Sequence, residues 1–216
     1  MKVIYSEVPK LEGEEPVYTV SESFAAAFTR TERGLQQTEN WPVESTDSVT
    51  RATLEQGGNT LTVDVSEDAD GNKTYTASDT ARTETPDTAA AQAFISSAAT
   101  LYFSSSADFK PTDEALAAYG LAEPSATLTV EWTRTDDASG AQESVTSVLY
   151  LGAVDANGDY YARLADSNAV STLNATALSG VLGMTLDGML PAEEESAPES
   201  APASESGSVS AASAAD

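Results

Sequence analysis

Strict alternation of apolar and polar residues is the strongest signal in this chain. In Thr60-Leu61-Thr62-Val63-Asp64-Val65 every second residue is apolar, which puts Leu61, Val63 and Val65 on one face of a strand. Residues 49–55 before it and 73–77 after it also read as strands. The runs between them, Gln56-Gly57-Gly58-Asn59 and Asp68-Ala69-Asp70-Gly71-Asn72, carry turn chemistry. This predicts an antiparallel meander. A second group follows. Residues 126–133 alternate with Leu128, Val130 and Trp132 on one face, and residues 145–151, 160–164 and 170–173 continue the pattern. Turns at 136–140, 155–159 and Asn168 join them.

Helical spacing separates the two groups. Thr85-Pro86-Asp87 opens a helix expected to run to Tyr102, with Pro86 in its first turn and Phe94, Ala98, Leu101 and Tyr102 facing the sheet. Thr112 is placed to cap a short helix over 113–119, with Gly120 at its C′ position. Asn174 caps a last helix over 175–182, which Gly183 ends. The predicted class is α+β: antiparallel meander strands with two or three helices packed on the sheet. The order strand, Asp/Gly turn, strand, helix occurs in 48–103 and again in 126–183. That echo fits a duplicated meander-plus-helix unit, and it fits the ordinary grammar of an α+β fold equally.

Pattern weakens at both ends. In the N-terminal segment, residues 1–47, Val17-Tyr18-Thr19-Val20 has strand character, and residues 21–28 read as a short helix or a strand. Residues 48–190 form the α+β domain. Residues 191–216 are built from Ala, Ser, Glu and Pro without aromatics, so a disordered tail is expected there.

Composition narrows the function classes. The chain has 216 residues and a formal net charge of -25. A polyanion repels nucleic acid and anionic lipid, so neither is an expected partner. No apolar run approaches the roughly 18–20 residues that span a bilayer. The opening Met1-Lys2-Val3-Ile4-Tyr5 has no apolar h-region, so a cytoplasmic chain or one trimmed of its leader is expected. There is no Cys and no His, which removes thiolate and imidazole chemistry and the commonest transition-metal ligands.

The remaining candidate chemistry is thin. Asp68-Ala69-Asp70-Gly71-Asn72 and Asp155-Ala156-Asn157-Gly158-Asp159 resemble the start of a calcium loop. Their Gly is fourth rather than sixth, however, and the twelfth positions are Asp79 and Asp166 rather than Glu. Asp/Asn-Gly between alternating strands is also a hairpin signal, and that reading is preferred. The acidic pairs Asp136-Asp137 and Glu14-Glu15 are adjacent and loop-borne, unlike carboxylates set across a cleft. No Gly-x-Ser-x-Gly elbow or phosphate loop is present. No catalytic residue, cofactor or metal site is therefore expected. Tyr160-Tyr161 with Trp132 suggests an aromatic platform, with Arg163 stacking or binding a carboxylate. Alternation splits it: Tyr160 shares a face with Ala162, and Tyr161 shares the other with Arg163. Tyr161 and Arg163 are thus the candidate exposed contact patch.

Several of these pieces together resemble a bacterial envelope family, domain of unknown function 4340. They are Tyr119-Gly120-Leu121 with Pro124, the strand Leu128-Thr129-Val130, Leu149-Tyr150-Leu151-Gly152, and Tyr160-Tyr161-Ala162-Arg163 ending at Asp166. The helix after Thr85-Pro86-Asp87 is similar too, and the resemblance spans roughly residues 48–183. It implies an envelope setting, since members often carry an N-terminal membrane anchor and some sit beside ABC-type or gliding-associated export components. It implies no catalytic residue.

The resulting expectation is a non-enzymatic, extracytoplasmic interaction module with an unidentified protein partner. Its finer form is an accessory component of an envelope ABC-type transport system, touching the membrane only through an anchor absent from this chain. The alternative is a small-ligand or calcium-binding surface domain that uses the Asp/Asn-Gly turns.

Overall fold

The computed structural model describes residues 39–191. The strand and helix expected within 17–28, and the tail beyond Pro191, lie outside the described residues. Among the described residues nine strands form one sheet: β1 (Val49–Gln56), β2 (Asn59–Glu67), β3 (Lys73–Ser78), β4 (Thr83–Glu84), β5 (Ser105–Asp108), β6 (Ala126–Thr135), β7 (Gln142–Val154), β8 (Tyr160–Leu164) and β9 (Val170–Leu173). Their order is β4-β3-β2-β1-β6-β7-β8-β9-β5, and every neighbouring pair is antiparallel. Two four-strand meanders therefore meet through their first strands, β1 and β6. The internal echo in the sequence corresponds to these two meanders.

The helices are α1 (Thr88–Ala99), α2 (Asp113–Ala118), α3 (Ala175–Leu178) and α4 (Leu186–Met189). Alternation places Leu54, Leu61, Val63, Leu128, Val130, Leu149, Leu151 and Ala162 on one face of the sheet. Phe94, Ile95 and Ala98 of α1, with Leu178, Val181, Leu186 and Met189 from the C-terminal turns, close over that face in a single core. An extra residue in β1, between the pairs Val49 with Trp132 and Arg51 with Glu131, lets both Val49 and Ala52 reach it. Trp132 is buried there, and its indole N–H donates to Ser147 Oγ at 2.9 Å, so the polar end of the ring is satisfied.

Several boundaries differ from the expectation. Asp87 caps α1, its carboxylate accepting from Ala90 N at 2.9 Å, so Pro86 precedes the helix instead of lying in its first turn. α1 ends at Ala99 rather than Tyr102: Thr100 makes the last helical bond, its N–H donating to Ser96 O at 3.0 Å and its hydroxyl to the same oxygen at 2.8 Å, but its own backbone, at φ -105° and ψ 30°, has left the helical conformation. Leu101 remains buried beyond the helix end, whereas Tyr102 is 61% exposed instead of facing the sheet. Ser105–Asp108, which no pattern in the sequence marks as a strand, pairs with β9 as an edge strand. Trp41 and Val43, from a stretch without periodicity, are buried in the core.

The last predicted helix is also shorter. α3 stops at Leu178, and the tight turns that follow, with Ser179 N donating to Thr176 O and Val181 N to Leu178 O, set Gly180 directly against α1: a Cβ there would lie 2.1 Å from Ser97 Oγ and 2.8 Å from Ser97 Cβ. Replacing Gly180 by Ala should therefore lower stability by about 1–3 kcal/mol through overpacking. Urea unfolding should show the loss, with part of it recovered when Ser97 is also changed to Gly.

Candidate functional site

The face of the sheet opposite α1 holds the candidate patch, and it is built from the end of α2. Thr112 Oγ1 accepts from Ala115 N at 3.2 Å to start this helix. At its other end Gly120 takes φ 70°, Gly120 N donates to Ala117 O at 3.0 Å, and Leu121 N donates to Leu116 O at 2.8 Å. This is a Schellman motif, and a left-handed C′ residue is what Gly120 supplies. It also turns the Tyr119 carbonyl outward, toward β7.

β7 is shaped to receive that carbonyl. Between the pairs Leu151 with Ala162 and Val154 with Tyr160, the two residues Gly152 and Ala153 oppose the single residue Tyr161. Such a bulge withdraws a backbone amide from the ladder. Ala153 N donates instead to Tyr119 O at 2.8 Å. The approach is so close that a Cβ on Gly152 would stand 2.1 Å from Tyr119 O. On the other side, Ser125 N and Oγ donate to Leu151 O at 2.8 and 3.1 Å.

The clasp sets Tyr119 against Tyr161. Their ring centroids are 4.5 Å apart with planes tilted by 47°. One pair further along, Arg163 lies opposite Tyr150, with its guanidinium carbon 5.3 Å from the ring centroid. Arg163 Nη1 donates to Ser167 O at 3.3 Å. Ser167 in turn hydrogen-bonds the Glu39 carboxylate through Oγ and receives Ala169 N at 2.9 Å. Among the described residues, the buried atoms Arg163 Nε and Glu39 Oε2 have no hydrogen-bond partner. Arg51, Lys73, Arg82 and Arg134 each pair with a carboxylate, whereas among the described residues Arg163 pairs with none.

Tyr161 and Arg163 are therefore together on one face and half-buried, on the opposite side from Tyr160, which packs against the core. The three-member platform does not form, because Trp132 is buried in that core on the other face. Alternation alone leads to Tyr161 and Arg163 but misses Tyr119, Tyr150, Ser167 and Glu39. A plain hairpin about the 155–159 turn would keep the pairing of Val154 with Tyr160 and set Tyr150 opposite Leu164. The bulge shifts that register by one and brings Tyr150 to Arg163. Gly152 is its sequence signal.

The Asp-rich turns are closed by their own backbone. Asp155 Oδ1 accepts from Asn157 N at 2.8 Å and Asp159 N at 2.9 Å. Asp68 Oδ1 accepts from Asp70 N and Asn72 N, both at 2.9 Å. These bonds, led by Asp159 N at Asp155 and by the Asn72 side chain at Asp68, hold both carboxyls below the usual carboxylate range. Gly71 and Gly158, with φ 85° and 90°, supply the left-handed residue of each turn. Among the described residues no group of three or more His, Cys, Asp or Glu is arranged to hold a metal.

Residues 83–187 match the model of a family described as domain of unknown function (DUF4340). The match covers the clasp, the Tyr–Arg face and α1, and the resemblance read from the Tyr-Gly-Leu stretch holds over these residues. β1, β2 and β3 lie before its start. No curated protein and no solved structure matches the chain.

Two outcomes follow from this geometry. Gly152→Ala should cost at least about 1–3 kcal/mol by urea unfolding, since its neighbour is backbone that cannot rotate away. For the turns, the folded pKa of Asp155 lies below its unfolded value of about 3.9. Its stabilisation is complete above the unfolded pKa and is lost as pH falls through the folded one. The melting-temperature gap between wild type and Asp155→Asn should be steady from about pH 7 to pH 5 and should close in stronger acid. A gap that widens in acid would contradict this.

Proposed function

We propose that the chain is a non-enzymatic, extracytoplasmic interaction module whose contact surface is the Tyr119, Tyr150, Tyr161 and Arg163 face. The observation that carries this reading is the state of Arg163. It rests on a tyrosine ring and, among the described residues, pairs with no carboxylate and offers a buried Nε to no acceptor. Tyr and Arg are the side chains enriched in the energetic centres of protein interfaces. A guanidinium already held in place by packing loses little freedom when a partner supplies the acceptor. α1 and the C-terminal turns pack on the other face of the sheet, whereas Tyr150, Tyr161 and Arg163 on this one are only half-buried among the described residues. The family match and the Cys-free, acidic composition favour an envelope setting, with the partner a component of a transport complex.

The test is site-specific photo-cross-linking of the full chain in its own host. A cross-linker at Tyr161 is expected to give a discrete adduct in the envelope fraction. Arg163→Glu should remove that adduct while leaving the melting temperature within a few degrees, and a cross-linker at exposed Thr50 should give none. No adduct from Tyr161, or one indifferent to Arg163→Glu, would contradict the proposal.

A further inference from the structure

A second feature lies far from this face, between the β2–β3 hairpin and the flank of α1. There a recess of about 240 Å³ opens beside the short turn Thr46–Ser48. Val65, Tyr75 and Ile95 form its apolar wall, Gln92 and Ser96 stand on its helical side, and Lys73 is its one cation. Lys73 Nζ donates to Asp47 Oδ1 at 2.8 Å and to Asp47 O at 3.2 Å. The two partners are held very unequally: the Lys73 side chain is 23% exposed and that of Asp47 91%.

We propose that this recess binds a small carboxylate on a short apolar body, and that the ligand's carboxylate replaces that of Asp47 on Lys73. The exchange conserves the charge-assisted hydrogen bond, because one carboxylate leaves the ammonium as another arrives. Asp47 gives up its place easily, since its carboxylate is already almost fully in water and an exposed ion pair contributes little. The ammonium stays aimed, because its bond to the Asp47 backbone carbonyl does not depend on that carboxylate. The apolar body is then drawn in by Val65 and Tyr75, half-buried side chains whose remaining surface it removes from water, with buried Ile95 behind them. A volume below the roughly 300–1,000 Å³ of drug-sized pockets restricts the ligand to about one ring or a short alkyl chain. The chain's net charge of -25 opposes any anion at long range, but salt screens that field beyond about 8 Å under physiological conditions.

The experiment titrates the ¹⁵N-labelled full chain with sodium benzoate and with sodium butyrate at constant ionic strength, following amide shifts. At least one probe should give saturable shifts at residues 73–75 and 92–96. Benzamide, the neutral analogue of benzoate, should bind at least tenfold more weakly than the carboxylate. Lys73→Met should abolish the shifts. Asp47→Ala, at an exposed position that leaves the core untouched, should tighten binding several-fold by removing the internal competitor. The proposal is overturned if neither carboxylate gives saturable shifts there, if benzamide binds as well, or if Asp47→Ala leaves affinity unchanged or weaker.

Discussion

The approach of the Tyr119 carbonyl to Gly152 is the constraint on which the contact face depends. It needs a helix that ends in a left-handed residue, a strand with a bulge at a fixed position, and no side chain at the point of contact. Gly120 meets the first need, the Gly152-Ala153 bulge the second, and Gly152 itself the third. Removing Ala153 N from the ladder would leave an unpaired donor if Tyr119 O were not there to accept it. The bond therefore links two parts of the chain that share no strand pairing. The segments Tyr119-Gly120-Leu121 and Leu151-Gly152 make sense as the two halves of this clasp.

Much of the face follows from that link. Tyr119 reaches Tyr161 because the carbonyl beside its ring is tied to the bulge opposite Tyr161. The register shift introduced by the same bulge sets Tyr150 under Arg163. The other face does a different job. There α1 and the C-terminal turns bury Phe94, Leu128, Leu149 and Leu178 in one continuous core, which gives the clasp a rigid sheet to act on. The face that packs the domain and the face proposed to meet a partner are thereby separated by the thickness of one sheet.

The strands were legible because burial on one side imprints period two on the sequence, as in Leu128, Val130 and Trp132. Turn positions were legible because Gly71 and Gly158 are needed for their backbone conformation. Features set by distant contacts were not legible. Gly180 is pressed against Ser97, some eighty residues away in sequence, and β5 becomes a strand because β9 offers it an edge. Half of the patch was visible by alternation in Tyr161 and Arg163. The other half, Tyr119 and Tyr150, depends on a bulge and a helix cap, which local pattern marks as glycines without saying what approaches them.

Hydrogen exchange at a single amide tests the central claim most directly. Ala153 is an exposed residue whose N–H has no strand partner, so without the clasp it would exchange with solvent freely. The account predicts protection of the Ala153 amide comparable to that of neighbouring β6–β7 ladder amides such as Leu149. Exchange of Ala153 at the rate of an unprotected loop amide would contradict it.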